Sequence, residues 1–292
     1  MKCEKCDSNA IIENPVLCKE HFTEYFESKV KETIEEHGLI EKNDRICVAA
    51  SGGKDSLTLL YLLKKFGYNV EALAINEGIH SYRDKTLGFL KSFCETQNIS
   101  LRIVSYKEET GKRLDEIIPE GKPACNACGT IRRNLLNKYS QEYDKLATGH
   151  NLDDESQAIL MNLLKAQTKL FARQGPKTIK TKGFTQKIKP LYFLKEKEVM
   201  VYSYINNLNT EFTECPFAKY SYRAYLRDLL NEQEKNNPGT KMNIVNKYLK
   251  ERKKVLSSTD KKTALFCIEC GSPAAGNTCK ACKLKKSIAG HA

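Results

Sequence analysis

The chain has 292 residues, with 48 lysines and arginines against 36 aspartates and glutamates, which gives a formal net charge of +12 at pH 7. This length accommodates one substantial core with small appendages, and the excess of positive charge favours a polyanion as a partner. No apolar run approaches the roughly 20 residues needed to span a bilayer, and the amino terminus lacks a hydrophobic signal region. These features argue against a membrane protein, and we expect a cytoplasmic one.

The first feature along the chain is a group of four residues of the kinds that bind metals. It consists of two pairs, each with two intervening residues, namely Cys3, Cys6, Cys18 and His21. In a reducing compartment such pairs are far more often metal ligands than disulfides, and four ligands of this type suit tetrahedral Zn²⁺. We therefore predict a zinc-binding module at residues 1–30.

Strands and helices then alternate in the central part of the chain. The predicted strands are 44–50, 69–76, 101–106 and 145–148, and the predicted helices between and after them are 55–66 and one that begins near Asp153. Alternation of this kind implies right-handed crossovers, so we predict an α/β fold with a doubly wound parallel sheet. Later helices are predicted at 198–208, 225–234 and 244–255. We assign all of these elements to a central domain at residues 31–260.

A short loop rich in glycine and hydroxyl groups follows the first predicted strand. It consists of Ser51, Gly52, Gly53, Lys54, Asp55 and Ser56, and we call residues 51–56 the phosphate loop. Its backbone N–H groups and the amino terminus of the next helix converge on one point, which attracts an anion such as phosphate. The glycines permit close approach, and Lys54 adds a cationic donor. The spacing of the glycines and the lysine differs from that of a Walker A loop. The alternative to a phosphate-binding loop is a plain glycine turn between strand and helix.

Three further cysteines, Cys125, Cys128 and Cys215, lie in the middle of the chain. Three thiolates make a poor closed zinc site, because structural zinc takes four protein ligands, but they suit a [4Fe-4S] cluster with one iron left open. In the alternative, Cys128 and Cys215 form a redox pair that carries a persulfide without a cluster. The two remaining cysteines, Cys47 and Cys94, have apolar neighbours and are predicted to be core residues.

A second motif, Thr-Gly-His-Asn-Leu-Asp-Asp at residues 148–154, follows the fourth predicted strand. Asp153 and Asp154 open a helix, where their carboxylates can hold Mg²⁺ bound to phosphate oxygens. The alternative is simple helix capping, since aspartate is favoured in a first helical turn.

The last feature is a second group of four metal ligands, arranged in two pairs like the first. It consists of Cys267, Cys270, Cys279 and Cys282. A small module of this type folds only with its metal bound, so we predict a second zinc-binding module at residues 261–292.

The phosphate loop and the 148–154 motif together resemble those of the PP-loop ATP pyrophosphatase family, whose members cleave ATP between the α and β phosphates. The three central cysteines and a metal module at each end narrow this resemblance to the TtuA/NcsA group of tRNA 2-thiouridine synthetases, across essentially the whole chain. The resemblance implies that the central domain adenylates the C2 oxygen of a tRNA uridine, with the wobble uridine favoured. Sulfur delivered by a [4Fe-4S] cluster then displaces AMP.

The resemblance also implies roles for single residues. Catalysis is expected to depend on Cys125, Cys128, Cys215, Lys54, Asp55 and Asp154. Binding of the nucleotide and its metal is expected at Ala50, Ser51, Gly52, Gly53, Lys54, Asp55, Ser56, Ile75, Arg132, Gly149, Asp153 and Asp154, because open parallel sheets bind ligands at the carboxyl ends of their strands. Arg132 takes the place of a basic residue near the α-phosphate, where the family often has lysine.

The same resemblance implies cofactors and partners. The expected cofactors are a [4Fe-4S] cluster, two Zn²⁺ ions, ATP and Mg²⁺. The expected partners are tRNA, a sulfur donor that is either sulfide or a ubiquitin-like thiocarboxylate protein, and a second copy of the chain in a homodimer.

Other functions stay open on the sequence alone. A tRNA 2-thiocytidine synthetase shares the phosphate loop but lacks the terminal modules, and another PP-loop ligase that acts on a small molecule would not need the basic surface. A zinc-dependent RNA-binding protein with an idle nucleotide loop is the alternative that is not an enzyme.

Overall fold

The computed structural model describes residues 1–118, 124–208, 214–257, 265–274 and 276–289. In chain order the strands are β1 (Ile12–Glu13), β2 (Val16–Leu17), β3 (Arg45–Ala49), β4 (Asn69–Asn76), β5 (Leu101–Ser105), β6 (Lys145–Thr148), β7 (Gln186–Ile188), β8 (Leu265–Phe266) and β9 (Pro273–Ala274). The helices are α1 (Lys19–Glu36), α2 (Lys54–Lys65), α3 (Tyr82–Thr96), α4 (Tyr106–Thr110), α5 (Leu114–Ile117), α6 (Cys125–Tyr139), α7 (Leu152–Leu164), α8 (Thr168–Ala172), α9 (Glu196–Ile205), α10 (Tyr222–Asn236), α11 (Thr240–Ser257) and α12 (Lys280–Ala289). A 3₁₀ turn at Ala218–Tyr220 precedes α10.

The centre of the fold is a five-stranded parallel sheet in the order β5-β4-β3-β6-β7. Each strand returns to the same direction through a connection that contains helices, so both faces of the sheet become covered. The predicted α/β fold with a doubly wound parallel sheet is therefore confirmed. The strands β4 and β6 have the predicted bounds, whereas β3 is one residue shorter than predicted at each end and β5 is one residue shorter at its carboxyl end.

The two faces of the sheet bury different side chains of the same strand. Ile46 and Val48 of β3 belong to the larger core, together with Leu57 and Leu60 of α2. The residue between them, Cys47, belongs to the core on the other face. This alternation follows from the period of two in a strand, and it places the predicted core cysteine in apolar surroundings, where it is 1% exposed.

The amino-terminal cysteine group is joined to the central domain by α1. Phe22, Phe26 and Val30 of this helix are fully buried in the larger core, and the ring of Phe26 stacks on Tyr202 at 4.2 Å. The boundary predicted after residue 30 falls inside α1, and the boundary predicted between residues 260 and 261 lies outside the described residues. The division into domains stays a prediction.

Some elements begin earlier than predicted or were not predicted. The helices α10 and α11 start three and four residues before their predicted starts, because apolar spacing marks only the first buried residue while the capped first turn is polar. Ser221 provides such a cap by accepting a hydrogen bond from Ala224 N at 3.2 Å. The strand β7 was not predicted, because its three residues are too few to show an alternation of apolar and polar side chains. None of the described helices combines the length and apolar character that crossing a bilayer requires.

Candidate active site

The phosphate loop connects β3 to α2 at the carboxyl edge of the sheet and is closed by its own hydroxyl groups. Ser56 Oγ accepts a hydrogen bond from Ser51 N at 3.1 Å and donates to Gly53 O at 3.0 Å. Ser51 Oγ accepts from Gly53 N at 3.3 Å. These bonds curl the backbone around the amino terminus of α2, where N–H groups without helical partners favour an anion.

Two glycines allow the loop to lie close to its neighbours. Gly52 has a φ of +82°, and a Cβ atom at this position would lie 2.0 Å from the carbonyl oxygen of Thr86. A Cβ atom on Gly149 would lie 2.9 Å from the carbonyl oxygen of Asp55. The 148–154 motif therefore lies directly against the start of α2, and the two motifs form one site.

Charged groups from three elements meet at the start of α2. Lys54 Nζ lies 3.1 Å from Asp55 Oδ2 and 2.8 Å from Glu196 Oε1, while Asn151 Nδ2 donates to Asp55 Oδ1 at 3.1 Å. Burial raises the pKa of Asp55, and the charge of Asp154 raises it further against the opposing effect of Lys54. Burial also raises the pKa of Asp154, and two carboxylates in a partly dry site suit a divalent cation with oxygen ligands.

The two aspartates of the 148–154 motif point to different surroundings. Asp153 is 7% exposed; its Oδ2 accepts a hydrogen bond from Glu196 N at 2.7 Å and its Oδ1 pairs with Lys241. Asp154 lies on the side of the phosphate loop and is 3.5 Å from Arg223. The structure thus brings Asp154 together with Lys54 and Asp55, and leaves Asp153 holding α9 and α11 in place.

This difference leads to a first prediction. Changing Asp153 to asparagine leaves the buried Lys241 without its counter-charge, so we expect the free energy of unfolding to fall by about 3 kcal/mol. The side chain of Asp154 is 30% exposed, so the free energy of unfolding of Asp154→Asn is expected to lie within about 1 kcal/mol of the wild-type value. Its catalytic activity is expected to be lost. Urea unfolding of both variants measures this contrast. Equal stability of the two variants would contradict it.

The three central cysteines converge beside the carboxyl end of β4. Cys125 and Cys128 lie one helical turn apart at the start of α6, and Cys215 comes from the segment before the 3₁₀ turn. Cys125 Sγ lies 3.8 Å from the carbonyl oxygen of Phe217, two residues after Cys215. Cys128 and Cys215 share an apolar cluster with Ile75, and burial raises the pKa of Cys128 to about 11.

At least one pair of these three sulfur atoms is farther apart than the ligand atoms within either terminal group. Among the described residues, the groups with all ligand atoms within 4.8 Å of one another are the two terminal ones, and Cys125, Cys128 and Cys215 do not form a third. Sulfurs on one tetrahedral zinc lie about 3.8 Å apart, given a Zn–S bond of about 2.3 Å. Cys128 and Cys215 lie in apolar surroundings and Cys125 is exposed, and three thiols with this wider spacing suit the larger dimensions of a polynuclear iron–sulfur cluster.

Both terminal groups have the compact geometry of a tetrahedral metal site. At the amino terminus His21 Nδ1 lies 3.4 Å from both Cys3 Sγ and Cys18 Sγ. At the carboxyl terminus the sulfurs of Cys270 and Cys279 are 3.7 Å apart. Backbone N–H groups also donate to the sulfurs, and the one from Cys279 lowers the pKa of Cys267 to about 6. Both predicted sets of four residues are therefore brought together.

The carboxyl-terminal group lies on α6, the helix that carries two of the central cysteines. Asn134 Nδ2 donates to Ser272 Oγ at 3.3 Å, and Lys285 Nζ donates to the carbonyl oxygen of Glu109 at 3.0 Å. Leu284 packs against the apolar cluster that contains Cys128.

The remaining predicted residues lie along the same edge of the sheet. Ala50 N donates to Leu73 O at 2.9 Å, which joins the ends of β3 and β4 below the phosphate loop. The carbonyl oxygen of Ile75 accepts a hydrogen bond from Arg83 at 3.0 Å. Arg132 NH1 lies 3.6 Å from Glu77 Oε1. Sequence reasoning missed Glu77 and Arg83, which belong to no motif, and also Glu196, which contacts Lys54 from 142 residues away.

Comparison with known proteins agrees with this geometry. The chain matches the PP-loop domain family over residues 22–234. It is 41% identical to a tRNA-5-methyluridine(54) 2-sulfurtransferase of Pyrococcus horikoshii, over 99% of this chain and 96% of that protein. It is 34% identical to the tRNA 2-thiolation protein NcsA of Haloferax volcanii over 99% of both. Among solved structures, the U34-tRNA thiolase NcsA from Methanococcus maripaludis with its [4Fe-4S] cluster matches with a TM-score of 0.82 and 34% identity, over 98% of this chain and 96% of that one.

Proposed function

The chain belongs to the PP-loop family and, within it, to the tRNA 2-thiolation enzymes, and from this premise we propose that it replaces the C2 oxygen of a tRNA uridine with sulfur at the expense of ATP. The observation that carries the proposal is the meeting of two kinds of chemistry at one sheet edge. The phosphate loop follows β3. Cys128 and Cys215 pack in one apolar cluster with Ile75 at the end of the neighbouring strand β4, and Cys125 lies one turn before Cys128 on α6.

The first half of the reaction uses the phosphate loop. Its backbone N–H groups and Lys54 bind the phosphates, while Asp55 and Asp154 hold Mg²⁺ against them. The uridine C2 oxygen attacks the α-phosphorus, the bond from that phosphorus to the bridging oxygen breaks, and pyrophosphate leaves. The C2 oxygen is a poor leaving group by itself, and the phosphate ester makes it a good one. Arg132, at the edge of this site, balances the charge that develops on the α-phosphate.

The second half of the reaction uses the cysteines. We propose that Cys125, Cys128 and Cys215 hold a [4Fe-4S] cluster by three of its irons; when bound, the cluster supplies a Lewis-acidic iron with an open position for sulfide. Sulfide attacks C2, the C2–O bond breaks, and AMP leaves with that oxygen. The apolar side chains around Cys128 and Ile75 exclude water, which would otherwise attack the activated C2 atom.

We assign Zn²⁺ to the two terminal groups, because all four ligand atoms of each lie within 4.8 Å of one another, and the closest pairs, at 3.4–3.8 Å, match the edges of a tetrahedral site with bonds of about 2.0–2.3 Å. Both sites are structural in this proposal, since all four positions are taken by protein ligands. The use of sulfide or a thiocarboxylate protein as donor, the cytoplasmic location and the homodimer stay predictions.

The position of the uridine distinguishes relatives within the family. The Pyrococcus horikoshii relative is named as acting on 5-methyluridine 54 of tRNA, and the Methanococcus maripaludis relative as a thiolase of tRNA uridine 34. Position 34 is the wobble position, which was predicted here. Mass spectrometry of nuclease fragments from the thiolated tRNA would identify the modified position.

The activity itself gives the second prediction. Protein purified without oxygen is expected to contain about four irons and two zincs per chain, and to convert tRNA, ATP and sulfide into 2-thiouridine, AMP and pyrophosphate. A ligase for small molecules would release AMP without tRNA, and an RNA-binding protein would bind tRNA without releasing AMP. Iron-free protein that thiolates tRNA at the full rate would refute the cluster assignment.

A further inference from the structure

A single buried carboxylate connects the phosphate loop to the three-cysteine group. Glu77 directly follows β4 and is 6% exposed. Its Oε2 lies 2.8 Å from Arg83 Nε, and its Oε1 lies 3.6 Å from Arg132 NH1. Two arginines from different helices, α3 and α6, therefore share one negative charge.

The first arginine fixes the phosphate loop. Arg83 is 3% exposed and donates hydrogen bonds to the carbonyl oxygens of Ser51 and Ile75 and to Thr86 Oγ1. It thus ties the first residue of the loop to the end of β4 and to α3. A buried guanidinium needs a counter-charge, and Glu77 supplies it.

The second arginine faces the cysteines. Arg132 lies one turn after Cys128 on α6, and its side chain is 50% exposed. Residues four apart on a helix lie on the same face, so Arg132 is on the side of α6 that carries Cys128, and Glu77 Oε1 lies 3.6 Å from its guanidinium. Two opposite charges, on Glu77 and Arg132, therefore lie beside the cysteines.

We propose that Glu77 is a positioning residue that holds Arg132 between the phosphate loop and the cysteines and sets the net charge beside the cluster. The proposal rests on the proposed function, since it concerns the same site. One carboxylate against two guanidiniums leaves a single positive charge, and this charge is placed on the exposed arginine, where phosphate and sulfur meet. Glu77 touches neither substrate and acts through Arg132.

The test separates charge from geometry with two substitutions at one position. Glu77→Gln keeps the size but removes the charge, whereas Glu77→Asp keeps the charge and shortens the side chain by one methylene group. Arg83 keeps its carbonyl partners in both variants, so the KM for ATP is expected to stay near the wild-type value. The kcat of Glu77→Gln is expected to fall about 10- to 100-fold, and Glu77→Asp is expected to recover part of it.

A second readout does not depend on turnover. The midpoint potential of the cluster, measured by redox titration of the loaded protein, is expected to become more positive in Glu77→Gln and to stay near wild type in Glu77→Asp. Arg132→Gln removes the opposite charge, so its potential is expected to become more negative. This variant also covers the case in which Glu77→Gln does not fold, because Arg132 is half-exposed.

The matched control is Glu71→Gln. Glu71 lies at the other end of β4, 3.5 Å from Arg45, and accepts a hydrogen bond from Tyr143 at 2.9 Å. Neither kcat nor the midpoint potential is expected to change in this variant. The proposal is overturned if the potential is the same in wild type, Glu77→Gln and Arg132→Gln, or if Glu77→Asp is no more active than Glu77→Gln. A wild-type protein that fails to thiolate tRNA would refute the proposed function and leave the potentials interpretable.

Discussion

Replacing Cys125 with alanine is expected to abolish sulfur transfer to tRNA and to leave ATP binding nearly intact. Cys125 is exposed at the start of α6, so its loss removes a ligand of the proposed cluster without opening a cavity in the core. The phosphate loop lies between β3 and α2, away from α6, and keeps its contacts in this variant. A mercury-containing gel, which separates thiolated from unmodified tRNA, measures the loss of sulfur transfer. Calorimetry measures the affinity for ATP.

The control for this experiment is Cys94→Ala. Cys94 is 2% exposed within the larger core, and burial raises its pKa to about 11, so it is a protonated thiol away from the site. We expect this variant to be about 1 kcal/mol less stable than wild type and to thiolate tRNA at the wild-type rate. If Cys125→Ala thiolates normally while Cys128→Ala and Cys215→Ala do not, the persulfide pair is correct and the cluster assignment is wrong.

Replacing Gly52 with alanine is expected to lower the affinity for ATP by at least about 100-fold, since in the proposed function the backbone N–H groups of this loop bind the phosphates and depend on its exact shape. The new Cβ atom would lie 2.0 Å from the carbonyl oxygen of Thr86, and the φ of +82° disfavours any side chain. Backbone cannot yield as a flexible side chain does, so the loop itself must move. Calorimetric titration with ATP measures the loss.

Gly67→Ala separates the two causes of that effect. Gly67 has the same φ of +82° after the end of α2, but nothing lies within 4 Å of the position that its Cβ atom would take. It therefore reports the torsional cost alone, about 1 kcal/mol of stability, with unchanged ATP affinity. If Gly52→Ala behaves like Gly67→Ala, the close contact with Thr86 has no role in shaping the loop.

The parts of the site that could be predicted from the sequence are those set by local spacing. The phosphate loop is six consecutive residues, each ligand pair has two intervening residues, and the acidic motif is short. Local backbone geometry therefore sets each of these features without help from the rest of the fold. The sheet was predictable for a similar reason, because alternating strands and helices admit few topologies. The four residues of each terminal group do meet as predicted.

The parts that could not be predicted depend on tertiary contacts. Glu77 meets Arg132 from 55 positions away, as their sequence numbers show, and no spacing rule links a strand end to the middle of a later helix. The two aspartates of the 148–154 motif look equivalent in the sequence. Successive helical residues point about 100° apart, so only the packing of α9 and α11 shows that Asp153 faces the core and Asp154 faces the phosphate loop.

The attachment of the carboxyl-terminal group to α6 has a consequence for how the protein matures. Ser272 contacts Asn134 of the helix whose first turn presents Cys125 and Cys128, and Leu284 packs against the apolar cluster that contains Cys128. A tail that folds only around its own ion would leave α6 without these contacts until the ion arrives. The carboxyl-terminal group would then have to bind its zinc before the three central cysteines receive their cluster. A shortage of zinc would lower the incorporation of iron, although the two sites share no ligand.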